Sequence, residues 1–250
     1  MFLDNLLPSF IGAVAAPLSF IKRIRHPDMV SFGLLANLAK MRSRGIISGI
    51  DSIWDVGANC GQFAYMAHKV WPNIPVFSFE PDPDSYKKLQ LNFEKFSIKG
   101  NSYPYALGDK VESKQLLRYA DNVNNSLLQN DHYADGRTID NVRVECTTLD
   151  IISRIIPEVN SAFLKLDIQG FELVALAGAE NFLKNCLFVQ IEVSFSPTYL
   201  GGAHAGEIIL AMRGYGFECI DILDLLRDKN GSHRIIEADI LFKKCKQDIK

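Results

Sequence analysis

The sequence predicts an α/β protein built on a doubly wound, mostly parallel sheet. Three observations carry that expectation. From residue 51 onward, short apolar runs alternate with helical patterns. A glycine loop, DVGANCG (55–61), follows the first of these runs and opens the first helix after it. A second strand-to-helix turn, KLDIQGFE (165–172), places carboxylates at the mouth of the sheet, where open α/β sheets bind their ligands.

Each element follows from its pattern. Residues 30–41 carry Phe32, Leu34, Leu35 and Leu38 at helical spacing. SIWDV (52–56) reads as a strand, 62–70 as a helix, VFSFE (76–80) as a strand and 84–96 as a helix with Lys and Glu on its outer face. YPYAL (103–107) reads as a third strand. Residues 114–119 and 142–147 are extended pieces around a polar loop at 121–137. Residues 150–156 form a short helix with Asp150 as its N-cap. AFLKL (162–166) is a strand, 172–185 a helix, LFVQIEV (187–193) a strand and 207–214 a helix. ECIDIL (218–223) and ADILFKK (238–244) form a closing antiparallel pair about the turn DKNGS (228–232). The chain therefore divides into an N-terminal helical extension, 1–48, and a Rossmann-like domain, 49–250.

The overall net charge of −2 gives no global reason to expect nucleic acid as a partner. Charge is unevenly spread, however. The first fifty residues hold Lys22, Arg23, Arg25, Lys40, Arg42 and Arg44 against Asp4 and Asp28, a basic arm on an acidic body. Residues 6–21, LLPSFIGAVAAPLSFI, are uncharged and mostly apolar but interrupted by Pro8 and Pro17. They fall short of the roughly 20 residues that span a bilayer. Asp4 stands where a secretory leader carries positive charge. With IKRIRH behind them, residues 1–26 have two readings: a peripheral helix on an anionic membrane surface, or a helix packed on the core or on a partner subunit of a homo-oligomer. The cysteines at 60, 146, 186, 219 and 245 contain no CxxC pair, so neither a disulfide framework nor a zinc site is expected, and reduced thiols fit a cytoplasmic protein.

The glycine loop selects its ligand by spacing. Gly57 and Gly61 stand in a G-x-x-x-G arrangement, with Asn59 where a dinucleotide fingerprint has its middle glycine. No Lys-Ser/Thr follows Gly61, which removes the phosphate loop of nucleotide hydrolases. Asp55 before the loop disfavours a phosphate and favours a cation. Glu80 ends the second strand, where a carboxylate can accept from a ribose diol. A nucleoside bearing positive charge, S-adenosylmethionine, meets these conditions. The simpler alternative is a plain turn at 57–61, with Glu80 capping the next helix.

Four segments resemble the FkbM family of class I S-adenosylmethionine-dependent methyltransferases: IWDVGANCGQFA (53–64), FSFEPDPDSYKKLQLN (77–92), FLKLDIQGFELVALAGA (163–179) and VQIEVSF (189–195). K-x-D-x-x-G-x-E after a buried strand is the most specific of these, and TLD (148–150) and ADILFKK agree with it. The resemblance runs from about residue 50 to 244. It implies a seven-stranded sheet with the last strand antiparallel, and methyl transfer to oxygen, on a sugar, glycan precursor or related metabolite. It further implies that Asp55, Gly57, Ala58, Asn59 and Gly61 line the methionine end of the cofactor, and that Glu80 with Pro81 holds the ribose. Asp109 would reach the adenine, and Asp167 would stand beside the methyl group and the acceptor.

A sugar hydroxyl is a poor nucleophile, so a positioned base that takes its proton contributes about 10²–10⁴-fold. Asp167 is the first candidate base and Glu192, ending the neighbouring strand, the second. The pair could alternatively hold a divalent cation, but no third ligand is evident, so no metal is expected. Glu172, in the first turn of its helix, fits capping or loop-holding better than catalysis. Gln169 and Gly170 shape the turn. His204, in the glycine-rich SPTYLGGAHAGE, is a further candidate base or acceptor contact, and His132 and Tyr133 are remoter ones. Three rival functions remain open: a cofactor-binding protein without catalysis, an N-methyltransferase, and an NAD(P)-dependent oxidoreductase, which the missing glycine disfavours.

Overall fold

A computed structural model describes residues 31–119, 122–130, 138–156, 160–196, 199–228 and 232–245. The apolar stretch 6–21, the basic residues after it, His132 and Tyr133 lie outside the described residues. Strands are β1 (Ser52–Val56), β2 (Val76–Phe79), β3 (Gly100–Tyr103), β4 (Ala106–Leu107), β5 (Glu112–Arg118), β6 (Asp140–Thr147), β7 (Ala162–Leu166), β8 (Cys186–Ser194), β9 (Phe217–Arg227) and β10 (Ile235–Lys244). Seven of them form one sheet in the order β3-β2-β1-β7-β8-β10-β9. All pairings from β3 to β8 are parallel, and β10 inserts antiparallel between β8 and β9. This is the doubly wound sheet with an antiparallel last strand that the sequence implied.

Side chains alternate between the two faces of each strand, and both faces are covered. One carries Trp54, Leu164, Val189 and Ile240 against Leu149, Leu176, Phe182, Ile208 and Met212. Trp54 stacks on Phe79 at 5.6 Å between ring centroids and tilts against Phe182 at 4.5 Å. The other face carries Ile53, Phe163, Phe188 and Leu241 beneath the helices Phe32–Ser43, Gln62–Val70 and Pro83–Phe96. A central strand buried on both sides reads as a continuous apolar run, and β7, AFLKL, is buried at all five positions. Among the described residues no helix is long and apolar enough to cross a membrane.

β4, β6 and β5 form a second, three-stranded sheet in the order β4-β6-β5. Arg118 of β5 ties it down. Its Nε donates to Asp82 Oδ2 at 2.6 Å, and the same guanidinium pairs with Asp84. Asp82 in turn caps the helix Pro83–Phe96, accepting from the backbone N–H of Asp84 and Ser85 at 3.0 and 2.8 Å.

The structure corrects three sequence expectations. YPYAL is not one strand: Pro104 has no N–H for the ladder, so β3 ends at Tyr103 and β4 enters the small sheet. Asp150 is not the cap of its helix, Leu149–Ile152. Thr148 is, through its side chain and the N–H of Ile151 at 3.1 Å, while Asp150 accepts from the N–H groups of Asn181 and Phe182. The helix expected over 172–185 stops at Ala177. Gly178 there lies so close to the Gly108 carbonyl that a Cβ would stand 1.9 Å from the oxygen, and a 3₁₀ turn, Phe182–Asn185, follows. Of the N-terminal extension, 1–48, only residues from 31 onward are described. The helix Phe32–Ser43 buries Leu35, Leu38 and Met41 in the layer that covers Ile53 and Phe163.

That packing has a measurable consequence. Leu38 is 0% exposed, so Leu38→Ala is expected to lower stability by about 2–5 kcal/mol in urea denaturation, keeping a single transition. A loss within ±0.5 kcal/mol, as for a surface site, would mean that the helix is peripheral.

Candidate active site

A cavity of about 760 Å³ opens at the carboxyl ends of β1, β2, β7 and β8. Gly57, Ala58 and Asn59 from the first loop, Glu80 and Pro81 after β2, and Asp167, Gln169 and Glu192 from β7 and β8 line it. The glycine loop is fixed by backbone contacts. Gly57 (φ +81°) approaches the loop after β7 so closely that a Cβ would stand 1.8 Å from the Asp167 carbonyl oxygen. The N–H groups of Gly57 and Ala58 both donate to the Phe79 carbonyl at 3.0 Å. Asn59 (φ +48°) donates its N–H to Glu80 Oε2 at 2.7 Å, and Asp82 donates its own to Glu80 Oε1 at 2.8 Å. Burial raises the Glu80 pKa to about 7 against the pull of these two bonds.

Beneath the cavity a row of buried polar side chains crosses the sheet. Register aligns Ser78 with Asp55, Asp55 with Lys165, and Lys165 with Gln190. These four residues are at most 6% exposed. The Lys165 ammonium stands 2.9 Å from Asp167 Oδ2 and 3.7 Å from Asp55 Oδ1, under the ring of Phe63. Burial alone would discharge it, but Asp167 and Asp55 outweigh burial and hold its pKa above the ordinary lysine range. Burial raises Asp55 to about 6, although Lys165 pulls the other way.

Residues two apart on a strand share a face, so Asp167 continues the Lys165 position into the cavity and Glu192 continues that of Gln190. Gln169 joins these two carboxyl groups. Its Nε2 donates to Asp167 Oδ1 at 3.0 Å and to Glu192 Oε2 at 2.9 Å. Its Oε1 accepts from the Tyr199 hydroxyl at 2.7 Å, and its carbonyl accepts from the Ser126 hydroxyl at 2.7 Å. The two carboxyls have opposite electrostatics. Burial works against the Asp167 carboxylate, but Lys165 overcomes it and keeps the pKa below the usual range. Burial, with the nearby charges of Asp167, Glu237 and Asp239, pushes Glu192 well above it. The loop is braced from below by Glu172, whose Oε1 accepts from the N–H groups of Ile168 at 2.9 Å and Gly170 at 3.2 Å.

Four residues expected in the site stand elsewhere. Asp55 points into the sheet, 0% exposed, one layer below the cavity wall. Gly61 is the N-cap of the helix Gln62–Val70 and faces Leu89. Asp109 is exposed on the turn after β4, outside the cavity. His204 is the exposed N-cap of the helix Ala205–Gly214, its N–H bonded to Glu207, and it lines a separate cleft with Tyr199 and Gly202. Its position in a glycine-rich loop reflects this capping turn. Conversely, sequence reading missed Lys165, Tyr199 and Asp239 as parts of the site. Lys165 was detectable, because the i, i+2 spacing to Asp167 inside a strand puts both side chains on one face. Asp239 was not, since its place depends on which residue of β8 it opposes.

Residues 55–219 match the model of the Methyltransferase FkbM domain. The chain belongs to the FkbM methyltransferase family. It is 24% identical over 210 residues to 31-O-demethyl-FK506 methyltransferase FkbM of Streptomyces tacrolimicus, covering 74% of this chain and 79% of that one. It is 27% identical over 143 residues to hexuronic acid methyltransferase AglP of Haloferax volcanii, covering 57% of this chain and 56% of the relative. Its fold is shared with an uncharacterized protein from Listeria monocytogenes serotype 4b at a TM-score of 0.50 and 8% identity, over 88% of this chain and 70% of that one. As an FkbM family member, the chain is a methyltransferase whose motif segments converge on one cavity.

The raised carboxyls of this FkbM site fix a sign for stability against pH. Folded Asp55 and Asp239 titrate at about 6, Glu80 and Glu172 at about 7, against ordinary values of 3.8 and 4.5. Between those limits the folded state holds more protons than the unfolded one, so stability falls as pH rises through the window. The melting temperature of the ligand-free protein is expected to be higher at about pH 5 than at about pH 7.5. A flat or rising profile would mean that these groups are ionised in the fold at pH 5.

Proposed function

We propose that the protein transfers the methyl group of S-adenosylmethionine to a hydroxyl of a sugar or related metabolite. The observation that carries this reading is the Glu80 carboxylate: buried, at the end of β2 and on the cavity wall, with each oxygen engaged by only one N–H. A carboxylate oxygen accepts two hydrogen bonds, so both can still receive a ribose hydroxyl. The donor set fits the cofactor in charge as well. Among the described residues lining the cavity, Lys165 is the one base against five acids, which suits a sulfonium and opposes a phosphate. Gly57, Ala58 and Asn59 would wall the methionine end, and Pro81 would lie beside the ribose. The names of the two relatives, a 31-O-demethyl-FK506 methyltransferase and a hexuronic acid methyltransferase, favour oxygen and sugar acceptors.

When bound, the cofactor supplies a methyl carbon already activated by its sulfonium. The chain's own residues then align the acceptor and receive its proton. Asp167 is the acceptor of that proton. Lys165 keeps it ionised at neutral pH, and Gln169 fixes the orientation of the carboxylate. A carboxylate of low pKa suffices, because the hydroxyl becomes strongly acidic as its oxygen bonds to carbon. Glu192, its pKa raised by burial and by the charges of Asp167, Glu237 and Asp239, accepts from the other N–H of Gln169 and stands beside Asp167 on the cavity wall.

Two measurements test this. Titration calorimetry with S-adenosylhomocysteine is expected to show binding that Glu80→Gln weakens roughly ten- to hundredfold, the worth of charge-assisted hydrogen bonds to the ribose. No binding by folded wild-type protein would overturn the reading. With an acceptor in hand, Asp167→Asn is expected to reduce kcat by about 10²–10⁴-fold with little change in S-adenosylhomocysteine affinity. A drop of less than about threefold would remove Asp167 as the proton acceptor.

A further inference from the structure

Gln169 holds a left-handed backbone, φ +56°, and Gly170 follows at +95°. That region is uncommon for a residue with a side chain, and it persists where the surroundings over-determine it. Here they do so from three sides. Nε2 donates to Asp167 Oδ1 and Glu192 Oε2, the carbonyl accepts from the Ser126 hydroxyl, and Oε1 accepts from the Tyr199 hydroxyl at 2.7 Å. An amide has two unlike ends. Turned about, its oxygen would face two carboxyls, so Nε2 belongs between them and Oε1 is the end left for a donor behind.

Tyr199 is seated as that donor by contacts independent of its hydroxyl. It is buried, and its ring lies against the turn after β7: a Cβ on Gly170 would stand 3.1 Å from Tyr199 Cβ and 3.2 Å from Cδ2. Its backbone bridges Asn130, and the N–H of Leu200 donates to the Gln129 carbonyl at 2.8 Å. The hydroxyl also lies 3.2 Å from the Asn124 carbonyl, in a segment that itself lines the cavity. Tyr199 belongs to none of the four segments that carry the family resemblance.

We propose that Tyr199 is a positioning residue for the methyl transfer, acting through Gln169: its hydroxyl holds the amide so that one N–H stays on Asp167 and the other on Glu192. The proposal rests on the reading of Asp167 as proton acceptor and finds the source of its alignment in a loop outside the motif. Without the hydroxyl, a buried amide oxygen loses its donor, and the group gains by swinging toward water. Both carboxyls then lose an N–H, and a carboxylate that loses a donor takes up a proton more readily.

Tyr199→Phe keeps the ring and removes the hydroxyl alone. The full chain, saturated with S-adenosylhomocysteine, is titrated while the carboxyl carbons of Asp167 and Glu192 are followed by carbon-13 NMR. The charges that face this pair are Lys165 on β7, Asp55 on β1, Glu237 and Asp239 on β10, and Glu172 on the helix after the turn. All are retained in the variant, so the difference reports the amide. The upper midpoint of the pair is expected to rise by roughly 0.5–1 pH unit, about the worth of one hydrogen bond. Gln169→Met is expected to move it the same way, and Tyr199→Phe added to Gln169→Met to move it no further. A purely structural role for Tyr199 would lower the melting temperature in both backgrounds and leave the midpoint in place. An unmoved midpoint in Tyr199→Phe or in Gln169→Met, or an equal further rise in the double variant, would each overturn the proposal. Failure of the wild type to bind S-adenosylhomocysteine is a separate result, and it would remove the methyltransferase reading together with the proposal built on it.

Discussion

One buried ammonium, that of Lys165, is the charge on which the open end of the sheet depends. Three strands meet at it through Asp55, Gln190 and its own β7, and Asp167 continues the row into the cavity. Asp55 and Lys165 are almost without solvent while Asp167 faces the cavity, and removing the cation would leave the buried Asp55 charge uncompensated. The apolar face of Phe63 closes over the group from the helix above. The same ion pair that stabilises the sheet thereby sets the protonation of the residue at its mouth. Structure and chemistry are coupled at a single side chain.

The rest of the site is arranged around that pair as a set of clamps. Gln169 takes both carboxyls with one amide group, and Tyr199 and Ser126 hold Gln169 from the loops after β8 and β5. Arg118 anchors the small sheet to the cap of the Pro83–Phe96 helix, which itself begins beside Glu80. Each clamp joins segments far apart in sequence. The cavity is consequently shaped by tertiary contacts, with no single loop sufficient to define it.

Much of this architecture was legible in the sequence. Alternating apolar runs and helical spacing gave the parallel strands, and the antiparallel closing pair followed from ECIDIL and ADILFKK. Gly57, Ala58, Asn59, Glu80, Pro81, Asp167 and Glu192, read from loop and strand-end positions, all line the cavity. What escaped was whatever depends on distant neighbours. Gly178, just past the helix end, packs against the Gly108 carbonyl, and the position of Asp239 depends on its register with β8. Asp55 stands opposite Lys165 in register and is fully buried, one row deeper than Asp167, which its place before the glycine loop does not reveal.

The contact between Gly57 and the Asp167 carbonyl bears on how this chain can change over evolutionary time. The atom that a Cβ would strike is backbone, not a side chain that another rotamer could withdraw. No single substitution elsewhere relieves it, so an alanine at 57 becomes tolerable only after the segment following β7 has itself been displaced. That segment carries Asp167 and Gln169. Drift in the first loop is therefore epistatically locked to the second, and lineages of this domain should diversify around the pair while inheriting it as one unit.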